Sequence, residues 1–419
     1  MMSQDPEHAE ILSDVHQTSP FDTADTRIPL YLPEFSADPY RAYRDMRRRY
    51  GSMVPVELAP GVHATLVIGY RTALRILHDP EHFSADPREW QKDVPSDCPV
   101  LPLLKWRPTA SRTSGWEHAR YRGASSAALA AVDLHILRAN VERIAIRLIG
   151  TFRAEVGVVD LVRHYAFPLA FDVMNTILGC PPEIAQKIAA AAAAIVEGVG
   201  AEEGNEMLRA AILELVTLKS AEPGDDLATR LLRHPAQLNT EELLEQFAVL
   251  YAGGIEPLQN LITNTLLLIL TDNRFAGSVL DGSLSTRDAL DEVLFNNPPM
   301  ANLAFTYPRY PILIDDVWLP AHQPVVISLA GCNDDPTIST SDPAGNRAHL
   351  AWGAGPHVCP ARTMAYLVAQ DAIDQLLDAL PEMRLAVPAH ELSWRPGPFQ
   401  RALVTLPAIP GPFDHRARF

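Results

Sequence analysis

The stretch HLAWGAGPHVCPAR, His349 to Arg362, sets one cysteine, Cys359, behind two glycines and a histidine. The other cysteines, Cys98, Cys180 and Cys332, are far away along the chain. A structural zinc would want further Cys or His at short spacing, and a disulfide would want a partner and an oxidising compartment; the segment offers neither. Apolar positions at 364, 367, 368, 373, 376, 377 and 380 follow with helical spacing. The sulfur is therefore expected at a helix amino end, where unpaired N–H groups and the helix dipole lower a thiol pKa from about 8.5 and favour a thiolate able to ligate a metal. Gly353 and Gly355, with no Cβ, would let backbone come close to something flat and large. The competing reading is a buried structural cysteine in a glycine turn.

The rest of the chain bounds the choice. Its 419 residues, 47% hydrophobic and 21% charged, suffice for a large buried core. A net charge of -16 argues against nucleic acid or an anionic membrane as partner. No apolar run approaches the roughly 20 residues of a membrane span, and the acidic, polar start MMSQDPEHAEILSD is unlike a secretory signal. A reduced cytoplasmic protein is expected.

Residues 1–30 are expected to form a flexible arm and 31–419 a single domain. Asp38 and Pro39 cap and open a helix in DPYRAYRDMRRRYG, and VHATLVIG, Val62 to Gly69, reads as a strand ahead of a helix over Tyr70 to Leu77. Asn239 with Glu242 is a capping-box pattern opening a helix that continues to about Leu270. At 1.5 Å per residue it is about 45 Å long and crosses the domain. ILIDDVWLPA and QPVVISLA read as strands between prolines. The fold class is mainly α with a small β portion.

WGAGPHVCPA resembles the haem-binding loop FGxGxHxC of cytochrome P450 enzymes, with Trp352 at the aromatic position. The resemblance implies haem b (iron protoporphyrin IX), with Cys359 as axial iron ligand, His357 at a propionate, and Gly353 and Gly355 shaping the loop. TSGWEHARYR resembles the family's helix in which His118 and Arg122, one turn apart, hold propionates. Arg309, in TYPRYP, falls where the family places a further propionate-binding arginine. DPYRAYRDMRRRYG, DPEHFSADP, PGDDL and the 240–270 helix follow in family order, so the likeness runs from about Asp38. It implies a triangular helical prism around a long central helix.

Two segments depart from the pattern. YAGGIEPLQN, Tyr251 to Asn260, places Glu256 on the family's acidic position and Pro257 where a threonine helps deliver protons during oxygen activation. An interior proline donates no hydrogen bond and crowds the carbonyl four residues back, here Gly253; the Gly253-Gly254 pair would let the helix bend there. The kink is either packing alone or mechanistic, with protons arriving by water or substrate from Glu256, or with a reaction ending in radical coupling. In DEVLFNNPP, Phe295 stands where the family's ExxR has arginine, leaving Glu292 to find another partner or stay protonated; TISTSDPAGNRAHL also lacks an obvious match to the family's meander arginine, with Arg347 or His349 as substitutes for it. Such an alteration resembles a subset of actinobacterial members.

The resemblance implies a monooxygenase or oxidase drawing electrons from NAD(P)H through a ferredoxin and its reductase. Arg362 and Arg120 are expected in the basic docking patch. The resemblance implies that the loop from Arg88 to Ala110, with Trp90, Val100, Leu101, Leu103, Leu104 and Trp106, lines a pocket for a small, largely apolar secondary metabolite, such as an aromatic or cyclic dipeptide, with core packing an equal alternative for this tryptophan-rich loop. The alternative is a non-catalytic relative that docks to a biosynthetic enzyme.

Overall fold

A computed structural model describes residues 27–152, 157–197, 201–275, 284–338 and 346–411. Most of the arm expected over 1–30 lies outside them. Its end does not: β1 (Ile28–Pro29) pairs in parallel with β2 (Met53–Ala59).

Local signals place the first elements where the sequence puts them. The helix Pro39–Tyr50 opens on Asp38, whose carboxylate accepts from the Arg41 N–H at 3.0 Å. β3 (Val62–Val67) runs antiparallel to β2, and the helix Tyr70–Leu77 follows. With β4 (Phe83–Ser84), β6 (Ala304–Pro308) and β9 (Val325–Ile327) these form a six-stranded sheet in the order β1-β2-β3-β9-β6-β4. β5 (Val159–Asp160) belongs to a second sheet, completed by β10 (Arg384–Leu385) and β11 (Pro407–Ile409). β7 (Ile312–Ile314) and β8 (Val317–Leu319) form a hairpin. Its two-residue turn holds Asp315 and Asp316 at φ 46° and 63°, the left-handed region that such turns require and aspartate tolerates.

Helices dominate the remainder. The long helix Thr240–Thr271 begins with the expected capping box: Asn239 accepts from the Glu242 N–H at 3.0 Å, and the Glu242 carboxylate accepts from the Asn239 N–H at 2.8 Å. Phe247, Leu261, Ile262 and Leu266 bury it in the larger core, where it meets Phe167–Leu178, Thr286–Asn296 and Arg362–Ala379. It stays helical through Pro257. The two glycines upstream do different things. A Cβ on Gly254 would lie 2.5 Å from Met174 Sδ, so Gly254 lets Phe167–Leu178 pack closely, whereas Gly253 faces open space.

Of the two readings open for the loop from Arg88 to Ala110, its large apolar side chains follow the core-packing one, in a second core under the sheet. Trp90, Val100 and Leu104 are buried there beside Tyr307 and Val326, with Leu101 partly buried against them. Leu103 is exposed. The Arg88 guanidinium lies 5.1 Å from the Trp106 ring centroid. Burying large rings against the sheet wins over exposing them to a cavity.

Candidate active site

The cysteine loop closes on itself through backbone hydrogen bonds. Gly353 N–H donates to Leu350 O at 2.7 Å, and Cys359 N–H to Trp352 O at 2.8 Å. Gly353 and Gly355 sit at φ 69° and 67°, where a side chain would be strained. A Cβ on Gly355 would fall 2.0 Å from Leu77 O, so this glycine serves contact with the end of Tyr70–Leu77. At Gly353 the nearest atom would be 3.8 Å away, leaving room for a ligand face.

The following helix starts at Arg362, beyond Cys359, so the thiol is not on its first turn. Burial pushes the thiol pKa up; the Ala361 N–H and the Arg122 and Arg362 charges oppose this without overcoming it. That corrects the expectation of a thiol acidified by the helix end alone. Burial works against the thiolate here, and a cation bonded to the sulfur would favour it.

Histidine and arginine side chains converge on the same cleft. The His118 and His357 rings lie 4.3 Å apart between centroids, and His118 Nε2 is buried with no hydrogen-bond partner. Arg122 donates to Val358 O, across from the helix Gly115–Ala130 to the cysteine loop. His357 is accessible yet closely surrounded by protein, as a residue lining a cleft is; burial first, then His118, Arg122 and Arg112, hold its pKa down to about 4. Burial and Arg122 likewise lower that of His118.

Arg112 is the member that sequence reasoning missed. It sits in the short turn Ala110–Arg112, which matches no motif, and donates to Leu103 O at 2.8 Å and to Ser111 O at 3.1 Å. Arg309 is not brought into this group. It follows the last residue of β6, its side chain is exposed, and its N–H bonds His82 O at 2.8 Å. Tyr307, buried on that strand, is what β6 presents toward Arg112. Among the described residues no carboxylate pairs with His118, Arg122, Arg112 or His357. With the two imidazoles held neutral, Arg122 and Arg112 are the charges left without a carboxylate, and His118 keeps an unpaired ring nitrogen, so the set suits a ligand carrying carboxylates.

On the long helix, Ala252 and Gly253 are exposed although their neighbour Tyr251 is buried. Glu256 is engaged: it pairs with Arg395 and accepts from Gln400 Nε2 at 2.8 Å. Both partners lie on the C-terminal hairpin bridged at Trp394 and Leu403.

Neither Arg347 nor His349, the expected substitutes for the meander arginine, is bonded to Glu292. Arg274 is, at 2.8 Å, from just beyond the long helix. Arg347 instead donates through Nε to Asp291 at 2.8 Å, and Tyr366 Oη donates to the other oxygen of that carboxylate. Arg120 is also committed, to Glu242 at 2.5 Å and to Gln237 O at 3.0 Å, and so is not free for a docking patch.

All four cysteines are free, and among the described residues no group of three or more His, Cys, Asp or Glu could hold a metal ion. No described helix is long and apolar enough to cross a membrane.

No family model matches the chain. It is similar to the 2-hydroxy-5-methyl-1-naphthoate 7-hydroxylase of Streptomyces carzinostaticus, 27% identical over 364 residues that cover 82% of this chain and 88% of that one. It is also similar to the cytochrome P450 monooxygenase PikC of Streptomyces venezuelae, 27% identical, covering 89% and 91%. Among solved structures, CYP154C4 of Streptomyces sp. ATCC 11861 superposes with a TM-score of 0.83 at 27% identity, over 93% of this chain and 99% of that one.

Proposed function

The chain belongs to the cytochrome P450 family and is a monooxygenase of that kind, and from that premise we propose that it is a haem-thiolate enzyme hydroxylating a small, largely apolar secondary metabolite. The observation that carries the cofactor assignment is the group of two arginines and two closely packed histidines, without a carboxylate partner among the described residues, beside Cys359. In this reading Cys359 Sγ ligates the iron, and the metal cation supplies what burial otherwise denies the thiolate. His118, Arg122, His357 and Arg112 take the two propionates through charge-assisted hydrogen bonds. Haem bound there supplies the activation of dioxygen, with electrons drawn from NAD(P)H through a ferredoxin and its reductase.

The chain's own residues set the conditions for that chemistry. Gly353 leaves space for a flat group against the loop, and Gly253 adds no side chain to the open space beside it on the long helix. Position 257 offers no hydroxyl, so in this reading protons reach the site through water or substrate by way of Glu256, whose carboxylate is held by Arg395 and Gln400. Hydroxylation of a secondary metabolite is favoured because the naphthoate 7-hydroxylase is among the relatives. Pro257 keeps oxidative coupling of an aromatic or cyclic dipeptide as a second outcome, since coupling does not require that hydroxyl. Residues 31–419 act as one domain in this reading, in the cytoplasm.

Reconstitution with hemin followed by reduction under carbon monoxide tests it. The expected result is the long-wavelength Soret band of a thiolate ligand, lost in Cys359→Ser. Its absence from freshly reconstituted protein would leave a non-catalytic docking role.

A further inference from the structure

The cysteine loop is fastened at both flanks to a single acid. Asp291, on the helix Thr286–Asn296, is 2% exposed and accepts from Arg347 Nε at 2.8 Å and from Tyr366 Oη. Arg347 precedes the loop; Tyr366 lies in the first turns of the helix that follows it. The Tyr366 ring packs on Trp352, with centroids 5.6 Å apart and planes at 43°. Trp352 in turn gives its carbonyl to the Cys359 N–H at 2.8 Å. An unbroken line of contacts therefore runs from a buried carboxylate to the backbone of the cysteine.

Glu292, the neighbouring acid, takes no part. Its partner Arg274 lies 44% exposed beyond the long helix and is shared with Asp272. Phe295 is buried without a charge, and the carbonyls of Leu294 and Phe295 are met by Asn333 Nδ2 at 3.1 and 3.0 Å. Asn333 Oδ1 accepts from Leu350 N–H at 2.8 Å, which ties this helix to the loop a second time. A buried carboxylate with two donors is stable, and breaking either bond leaves it short of a partner. Both bonds also fix where the loop begins and ends.

We propose that Asp291, acting through Arg347 and Tyr366, is the positioning acid of the cysteine loop, in place of a Glu292–arginine pair that Phe295 removes. The inference rests on the haem-thiolate reading and concerns how the sulfur is held toward the iron. These are positioning residues, since none of them touches the reacting atoms.

The test uses full-length, hemin-loaded protein. After reduction under carbon monoxide, the ratio of the neutral-thiol Soret band to the thiolate band is measured in the parent, Asp291→Asn, Tyr366→Phe, Arg347→Gln and Glu292→Gln at equal haem content. Asp291→Asn and Tyr366→Phe are expected to raise that ratio about tenfold, Arg347→Gln less because it is exposed, and Glu292→Gln not at all. Should Asp291→Asn not fold, Tyr366→Phe decides, because it removes one hydroxyl and keeps the ring on Trp352. A purely structural role would shift the thermal midpoint and leave the ratio unchanged, and that result overturns the proposal, as does an equal rise in Glu292→Gln. A parent without a thiolate band fails the haem reading itself, whereas a parent with that band and unresponsive variants fails only this inference.

Discussion

His118 and His357 pack ring to ring, 4.3 Å between centroids, although they come from a helix and a loop separated by more than half the chain. Arg122 and Arg112 close around them, and no described carboxylate offsets the charge. The two imidazoles are held neutral, so an anion bound here would meet two guanidiniums without a carboxylate partner and an unpaired His118 nitrogen. Arg112→Gln is expected to speed hemin loss to an excess of a haem-scavenging protein by roughly tenfold, the size of one charge-assisted hydrogen bond. Arg309→Gln is expected to leave that rate unchanged. Equal rates in the Arg112 variant and the parent would remove Arg112 from the site.

Glu242 joins the long helix to the helix Gly115–Ala130, which carries His118 and Arg122. Its carboxylate takes Arg120 at 2.5 Å, the Asn239 N–H at 2.8 Å and Tyr121 Oη at 2.9 Å. Chiefly the Arg120 hydrogen bonds, against burial, hold its pKa down to about 2. A depressed carboxylate contributes stability that is complete above its unfolded value, about 4.3, and is lost as pH falls through the folded one. Glu242→Gln is therefore expected to destabilise the protein at neutral pH by about 1–3 kcal/mol. The difference from the parent should shrink as pH falls toward 2 in urea-melt stabilities. A difference independent of pH would assign the loss to packing.

Local chemistry made much of this fold readable. The Asp38 cap, the Asn239–Glu242 box and the alternation of Val62 to Val67 are written within a few residues of where they act. The spacings of Cys359 with His357 and of His118 with Arg122 were legible for the same reason. What the sequence hid depends on contacts between distant segments. Arg112 lies in a turn without periodicity, Arg274 and Arg347 choose between adjacent acids on one helix, and Arg120 turns to Glu242 instead of solvent. Arg309 misled because one step past a strand end changes which way a side chain points. The burial that raises the Cys359 pKa is likewise a property of the whole packing, invisible in a helix-end argument.

Pro257 lacks the N–H that would bond the Gly253 carbonyl, within a helix that nevertheless continues on both sides. Pro257→Thr restores that donor, and threonine has adequate helix propensity. The variant is expected to be more stable by roughly 1–3 kcal/mol, read as a higher midpoint in thermal melts. If protons are limiting, the added hydroxyl should also raise the fraction of NADPH consumption that ends in hydroxylated product. A large gain in that fraction with the native reaction intact would count against oxidative coupling as the natural outcome.

Restoring the family's arginine at position 295 should damage the protein rather than repair it. Phe295 is 5% exposed, and the acid it would serve, Glu292, is already bonded to Arg274 at 2.8 Å. Phe295→Arg would place a guanidinium where an aromatic ring is packed and where Asn333 holds the adjacent carbonyls. An uncompensated buried charge costs about 3–5 kcal/mol, so the variant is expected to lose that much in urea unfolding. Adding Arg274→Gln to free Glu292 should recover part of the loss, because the new guanidinium then gains a carboxylate. If Phe295→Arg alone were as stable as the parent, the helix Thr286–Asn296 would have to accommodate the older pairing without Arg274 giving way, and the division of labour between Asp291 and Glu292 would be wrong.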